Sequence, residues 1–240
     1  MALTVRTNPQ SVFARNRLNQ TSNALAKTFA RLSSGSRINQ AADDATGMAI
    51  STRLEHRIKG QGAAKINAQE GISFIQTMEG GVEQIRGLLD RIRELAVRAG
   101  NETLTASDRT AADLEFQQML NEIARVGSTT NFNGGPVLSA QMELTFQVGF
   151  QNTSDNRITL TTNRGMNLVS LSLNAQAVDT AGNAQSALSQ ISTALDRVNA
   201  YRSRLGAVQN RLERTISNLD SDIENAVASN SRIRDVDFAA

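Results

Sequence analysis

Cysteine is absent from the 240 residues. That excludes thiol nucleophiles, disulfide staples and thiolate zinc sites. Tryptophan is also absent and aromatics make up only 4%, so the core must be built from Leu, Ile, Val, Ala and Met. Proline occurs twice, at Pro9 and Pro136. Between them nothing forbids long helices, because proline is the residue that breaks a helix interior. A single histidine, His56, sits in the charged helical run Arg53-Leu54-Glu55-His56-Arg57. One histidine cannot build a His-rich metal site, and it reads as exposed helix surface. No run of 18 apolar residues exists, so no span of a membrane is expected. The N-terminus, MALTVRTNPQSVFARNRLNQ, lacks the apolar segment of a Sec signal peptide.

The net charge is +2. Arg and Asp/Glu alternate along the same segments, as in Asp90-Arg91-Ile92-Arg93-Glu94. Nucleic-acid binding needs a clustered basic face, so no nucleic-acid partner is expected. No Walker A or GxGxxG pattern occurs, and Asp43-Asp44 lacks the alternating spacing of a calcium loop. No catalytic residue, cofactor or metal site is predicted.

What is present is helical periodicity. Residues 10–33 carry Leu18, Leu25, Phe29 and Leu32 on one narrow stripe, with nothing adjacent in sequence to cover it. Isolated helices are marginal in water, so residues 1–40 are expected to order only against a partner. The stretch RLSSGSRINQAADDATG (31–47) reads as a joint. Gly35 suits a left-handed C-cap. Asp43 and Asp44 precede a new first turn, whose free N–H groups attract carboxylates.

Residues 45–99 read as helical, with possible interruptions at Gly60, Gly62 and Gly80-Gly81. Ile75, Met78, Val82, Ile85, Leu89 and Ile92 are spaced 3, 4, 3, 4, 3, the seam of a helix packed along another helix. Gly100 ends this run. Ser107-Asp108 is expected to cap a helix to about Val126, with Phe116, Met119, Leu120, Ile123 and Val126 inward. TTNFNGGP (129–136) is turn chemistry. Residues 143–150 and 157–162 alternate with period two around a polar turn and predict a β-hairpin. Residues 163–182 read as irregular.

From about Ala184 to Arg234 runs the longest seam: Leu188, Ile191, Leu195, Val198, Leu205, Val208, Leu212, Ile216, Leu219 and Ile223. A helix of about 50 residues extends roughly 75 Å. The expected fold is mainly α, an elongated antiparallel helical rod with a small β-hairpin region. The two strongest seams, about 100 residues apart, are expected to pack on each other.

Several motifs resemble bacterial flagellin: RLSSGSRINQAADDATGMAIS, NAQEGISFIQTMEG, LDRIRELAVRAGNETLT, LNEIARV, TNFNG and SRIRDVDFA. They span the chain from about residue 8 to 239. The resemblance implies a non-enzymatic subunit of the helical flagellar filament. It implies secretion through the flagellar type III apparatus to the cell exterior, and other flagellin subunits as partners. It also implies a division of the chain. Residues 1–43 would be an inner-tube helix and spoke, 44–177 the first rod helices with the hairpin, and 178–235 the long C-terminal rod helix. Residues 236–240 would be the start of a C-terminal inner helix. Ending at Ala240, the chain is expected to stay monomeric or assemble poorly. A second implied partner is Toll-like receptor 5, with Arg91, Leu95 and Glu115 at the matching positions. Arg91 and Leu95, four apart, are expected to form an exposed pair beside Glu115. Two binding-module readings stay open beside the filament subunit: the hook–filament junction protein, or a surface-displayed flagellin homologue.

Overall fold

The computed structural model describes residues 8–162 and 164–237. Its order is α1 (Pro9–Ser34), α2 (Ala45–Ala99), α3 (Ala106–Thr129), β1 (Asn131–Phe132), β2 (Gly135–Pro136), β3 (Met142–Gln147), β4 (Arg157–Thr162), α4 (Leu168–Leu171) and α5 (Ala181–Arg234). One 3-10 turn, Ser154–Asn156, leads into β4. The mainly helical architecture with a small hairpin region is the one expected. The expectations for residues 1–7, Asn163 and 238–240 fall outside the described residues.

The chain divides into two units, Met1–Gly60 with Asp220–Ala240, and Gln61–Leu219. In the first unit, α1 starts at Asn8, whose side chain accepts from the Gln10 and Ser11 N–H groups, with Pro9 following as the residue best suited to a first turn. It stops at Gly35, which holds φ +68°, a conformation that costs glycine nothing. α1 has no buried residue.

In the second unit, α2 is continuous through Gly62 and Gly80-Gly81. Glycine does not interrupt it because glycine weakens a helix by only about 1 kcal/mol. Gly81 has a packing reason instead. A Cβ there would sit 2.7 Å from both Thr130 Oγ1 and Leu138 Cδ1. α3 starts two residues earlier than the sequence suggests. Thr105, not Ser107, is the N-cap, and Thr105 and Asp108 form a reciprocal capping box. The Asp108 carboxyl lies below its ordinary pKa because Thr105 hydrogen-bonds to it.

TNFNG closes a two-residue hairpin between β1 and β2. Asn133 (φ 48°) and Gly134 (φ 81°) both take positive φ, as a type I′ turn requires. β3 and β4 pair antiparallel from Met142 opposite Thr162 to Gln147 opposite Arg157. β3 ends at Gln147 rather than at residue 150. Residues 168–171, read as irregular, form the short α4, started by Asn167, whose side chain accepts from the Ser170 N–H at 2.8 Å.

The core of this unit joins both seams. From α2 it takes Ile75, Met78, Val82, Ile85, Leu89 and Ile92, all 0% exposed. The same stripe runs on through Ala96 and Ala99. From α5 it takes Ala184, Ala187, Ile191, Ala194, Val198, Tyr201, Leu205, Val208 and Leu212. Those nine positions are spaced strictly by threes and fours. The expected register on α5 is therefore corrected in part. Leu188, Leu195 and Ile216 are only half-buried and flank the core, Leu219 is 7% exposed, and in the other unit Ile223 is half-buried. Alanines and Tyr201 occupy the places that Leu188 and Leu195 were expected to fill.

Two contacts give the relative direction of α2 and α5 within this unit. Arg202 pairs with Glu83 at 2.7 Å, and a Cβ on Gly71 would meet Leu212 at 3.2 Å. Rising numbers on one helix meet falling numbers on the other, so the helices are antiparallel. The hairpins pack through rings. Phe74 meets Phe132 edge-on at 5.2 Å and Phe146 at 6.3 Å.

Candidate functional site

Among the described residues, no group of three His, Cys, Asp or Glu side chains is placed to hold a metal ion. His56 is exposed on α2. Among the described residues, no helix is long and apolar enough to cross a membrane. The features that remain are surfaces and joints.

The joint at 35–44 is held from two directions. Locally, Asp44 accepts from the Gly47 N–H at 2.9 Å, as an N-cap should. Asp43 does something the sequence reading missed. Its carboxylate accepts from the Asn39 and Gln40 N–H groups at 3.3 Å and pairs with Lys27 of α1 at 2.5 Å. Arg31 lies 3.5 Å away. The Lys27 hydrogen bond is the main reason its pKa falls to about 2, helped by those two backbone donors against the opposing effect of burial. From a distance, the Arg37 N–H donates to the Arg234 carbonyl at 2.6 Å and the Val236 N–H donates to the Gly35 carbonyl at 3.0 Å. The Arg37 guanidinium reaches the Ile233 carbonyl at 2.7 Å. Partners 196 residues apart leave no local signal.

A second feature joins α2 and α3. The guanidinium of Arg91 donates to Glu115 Oε1 from Nη2 at 2.8 Å and from Nε at 3.2 Å. Its Nη1 donates to Glu94 at 2.8 Å. Glu115 first and Glu94 second hold the Arg91 pKa above its ordinary value. Both partners of the interhelical pair are exposed, 49% and 41%. Leu95 differs from expectation. It is 4% exposed and belongs to the core, because it neighbours the Ile92–Ala96 seam that α3 covers. It reaches the surface only as part of a groove of about 480 Å³, lined also by Arg98, Leu104, Asp108, Ala112 and Glu115. Arg91, Leu95 and Glu115 are thus brought together, with Leu95 as floor and the charged pair beside it.

The third feature is apolar. Val12, Phe13, Leu18, Leu25, Phe29 and Leu32 are 46–72% exposed on α1. Leu18, Leu25, Phe29 and Leu32 share one face, and an exposed apolar stripe marks an interaction surface. Scattered apolar residues elsewhere, such as Val169, need no such account.

The family model of the bacterial flagellin N-terminal helical region matches residues 5–143, and that of the bacterial flagellin C-terminal helical region matches residues 188–240. A flagellin of Halalkalibacterium halodurans is 41% identical over 214 residues, covering 89% of this chain and 78% of the relative. A flagellin of Salmonella paratyphi A is 47% identical over 152 residues, 63% of this chain, and the chain spans only 31% of that relative's length. The crystal structure of Bacillus cereus flagellin superposes with a TM-score of 0.55 at 25% identity, over 64% of this chain and 88% of the other. The chain belongs to the bacterial flagellin family, whose members are extracellular structural subunits of the flagellar filament, and like them it is a structural protein rather than an enzyme.

Proposed function

We propose that this chain polymerises with copies of itself into the bacterial flagellar filament that drives motility. One observation carries the reading beyond family membership. From Leu18 to Leu32, α1 presents its apolar stripe to solvent, and burying large apolar side chains is worth about 1.5–3 kcal/mol each. Neighbouring subunits supply that cover. In the layered arrangement, residues 1–43 form the inner tube, residues 44–177 and 178–235 the rod, and 236–240 lead back inward. Export runs through the flagellar type III apparatus. A chain with no cysteine carries no covalent cross-link to prevent passage as an unfolded thread.

Seeded assembly tests this reading. Labelled chain is added to sheared flagellar fragments, which bypasses nucleation, and incorporation is followed by electron microscopy. The wild-type chain, expected to assemble poorly by itself, is expected to add to these preformed fragments, and a Leu25→Asp, Phe29→Asp double variant is not. Fragments that never take up wild-type chain would overturn the proposal.

We further propose that Arg91, Leu95 and Glu115 form the contact for Toll-like receptor 5. In support, the interhelical pair is exposed and oriented, and Glu115 lines one groove with Leu95. Oriented arginines are enriched in binding hot spots.

A further inference from the structure

Tyr201 is the only tyrosine of the chain, and there is no tryptophan. It occupies a seam position on α5 and is 5% exposed. Its buried hydroxyl has no hydrogen-bond partner at bonding geometry. An unpaired buried hydroxyl costs about 1–3 kcal/mol, and phenylalanine would fill a seam without that cost. Burial pushes the phenol's pKa up to about 12, against a smaller opposing effect of the nearby Thr162 hydroxyl.

The tyrosine borders a pocket of about 310 Å³ whose charged lining is Arg164, Arg197 and Arg204, with no carboxylate. Other arginines, among them Arg91, Arg125 and Arg202, face a glutamate. Arg197 is held by neutral groups only. Its Nη1 donates to the Ser170 carbonyl at 2.6 Å and to Ser172 Oγ at 2.8 Å. Arg197, Tyr201 and Arg204 stand four and three residues apart, so they share one face of α5. Guanidiniums gathered around one concavity without a counter-charge repel each other and raise the local potential for anions.

We propose that this pocket binds a small oxyanion of the phosphate class, with the three guanidiniums as charged donors. Arginine forks match phosphate oxygens, and a doubly charged tetrahedral ion offers enough acceptors for all three groups. At about 30 Å³ per water, the pocket holds roughly ten waters. That is room for phosphate with a short organic tail. The proposal is independent of the filament and receptor readings.

The lone tyrosine makes the test direct, because its emission reports on this pocket alone. Inorganic phosphate is titrated into the full chain at constant ionic strength, with chloride as control. A saturable change in emission is expected. An Arg164→Gln, Arg204→Gln double variant, with helix content checked by circular dichroism, is expected to bind about tenfold more weakly or worse. Glycerol phosphate separates the sources. Tighter binding than inorganic phosphate supports an organic phosphate, and equal binding supports the free ion. Emission that follows ionic strength alone, or a response retained in the double arginine variant, would overturn the proposal.

Discussion

Arg91 on α2 and Glu115 on α3 are joined through one oxygen. Nη2 and Nε of the arginine both donate to Glu115 Oε1, at 2.8 and 3.2 Å. The guanidinium is thereby fixed in direction while half of it stays in solvent. An oriented exposed charge contributes little to stability and much to directional recognition. Arg91→Ala is expected to leave thermal unfolding unchanged while lowering receptor activation roughly tenfold or more. An unaltered cell response to purified Arg91→Ala would remove the receptor proposal and leave the filament reading intact.

Asp43 ties the joint to α1, and its pairing sets a pH dependence. Its folded pKa, about 2, lies below the ordinary 3.8. The stabilisation is therefore present above pH about 4 and is lost as pH falls through about 2. Limited pepsin digestion at Phe29 and Leu32 across this window should show α1 loosening from the joint. Asp43→Asn should cleave readily throughout the window and lose the acid step. An acid step that persists in Asp43→Asn would show that another carboxylate controls it.

Glycines on the helices fall into two groups with opposite expected signs. At Gly127 an added Cβ would lie 2.8 Å from the Met166 carbonyl oxygen, a backbone atom. Gly127→Ala should cost about 1–3 kcal/mol despite the better helix propensity. Gly62 and Gly87 face open space. Alanine there should stabilise by about 0.5–1 kcal/mol. Urea unfolding of the three variants reads the difference.

The register of α5 is equally testable. Ile191→Ala, at a fully buried position, should cost about 2–5 kcal/mol. Leu195→Ala removes a side chain of the same size from a half-buried position and should cost less than half of that. Ala194→Leu should destabilise by about 1–3 kcal/mol through overpacking. Equal costs for Ile191→Ala and Leu195→Ala would restore the register read from large aliphatic residues alone.

That comparison also shows what was legible in the sequence. The α2 seam was plain because Ile, Met, Val and Leu occupy every seam position from 75 to 92. On α5 the same geometry is built from Ala184, Ala187 and Ala194 with Tyr201. Alanine carries little hydrophobic signal, and tyrosine reads as half polar, so the eye moves to Leu188 and Leu195. Gly35 and Asp44 announced the joint because caps act within four residues. The Arg37–Ile233 bond, the Arg202–Glu83 pair and the Lys27 partner of Asp43 were invisible, since no local rule links positions so far apart. Leu95 was misplaced for a related reason. Helical spacing puts it on the side of Arg91 but does not say which helix lies over it.

Hydrogen exchange across α1 tests the central claim most directly. It is measured by mass spectrometry on the free subunit and on the assembled filament. The account expects rapid exchange over Leu18–Leu32 in the free chain and strong protection once neighbouring copies cover the stripe. Filaments in which α1 exchanges as fast as in the monomer would contradict it.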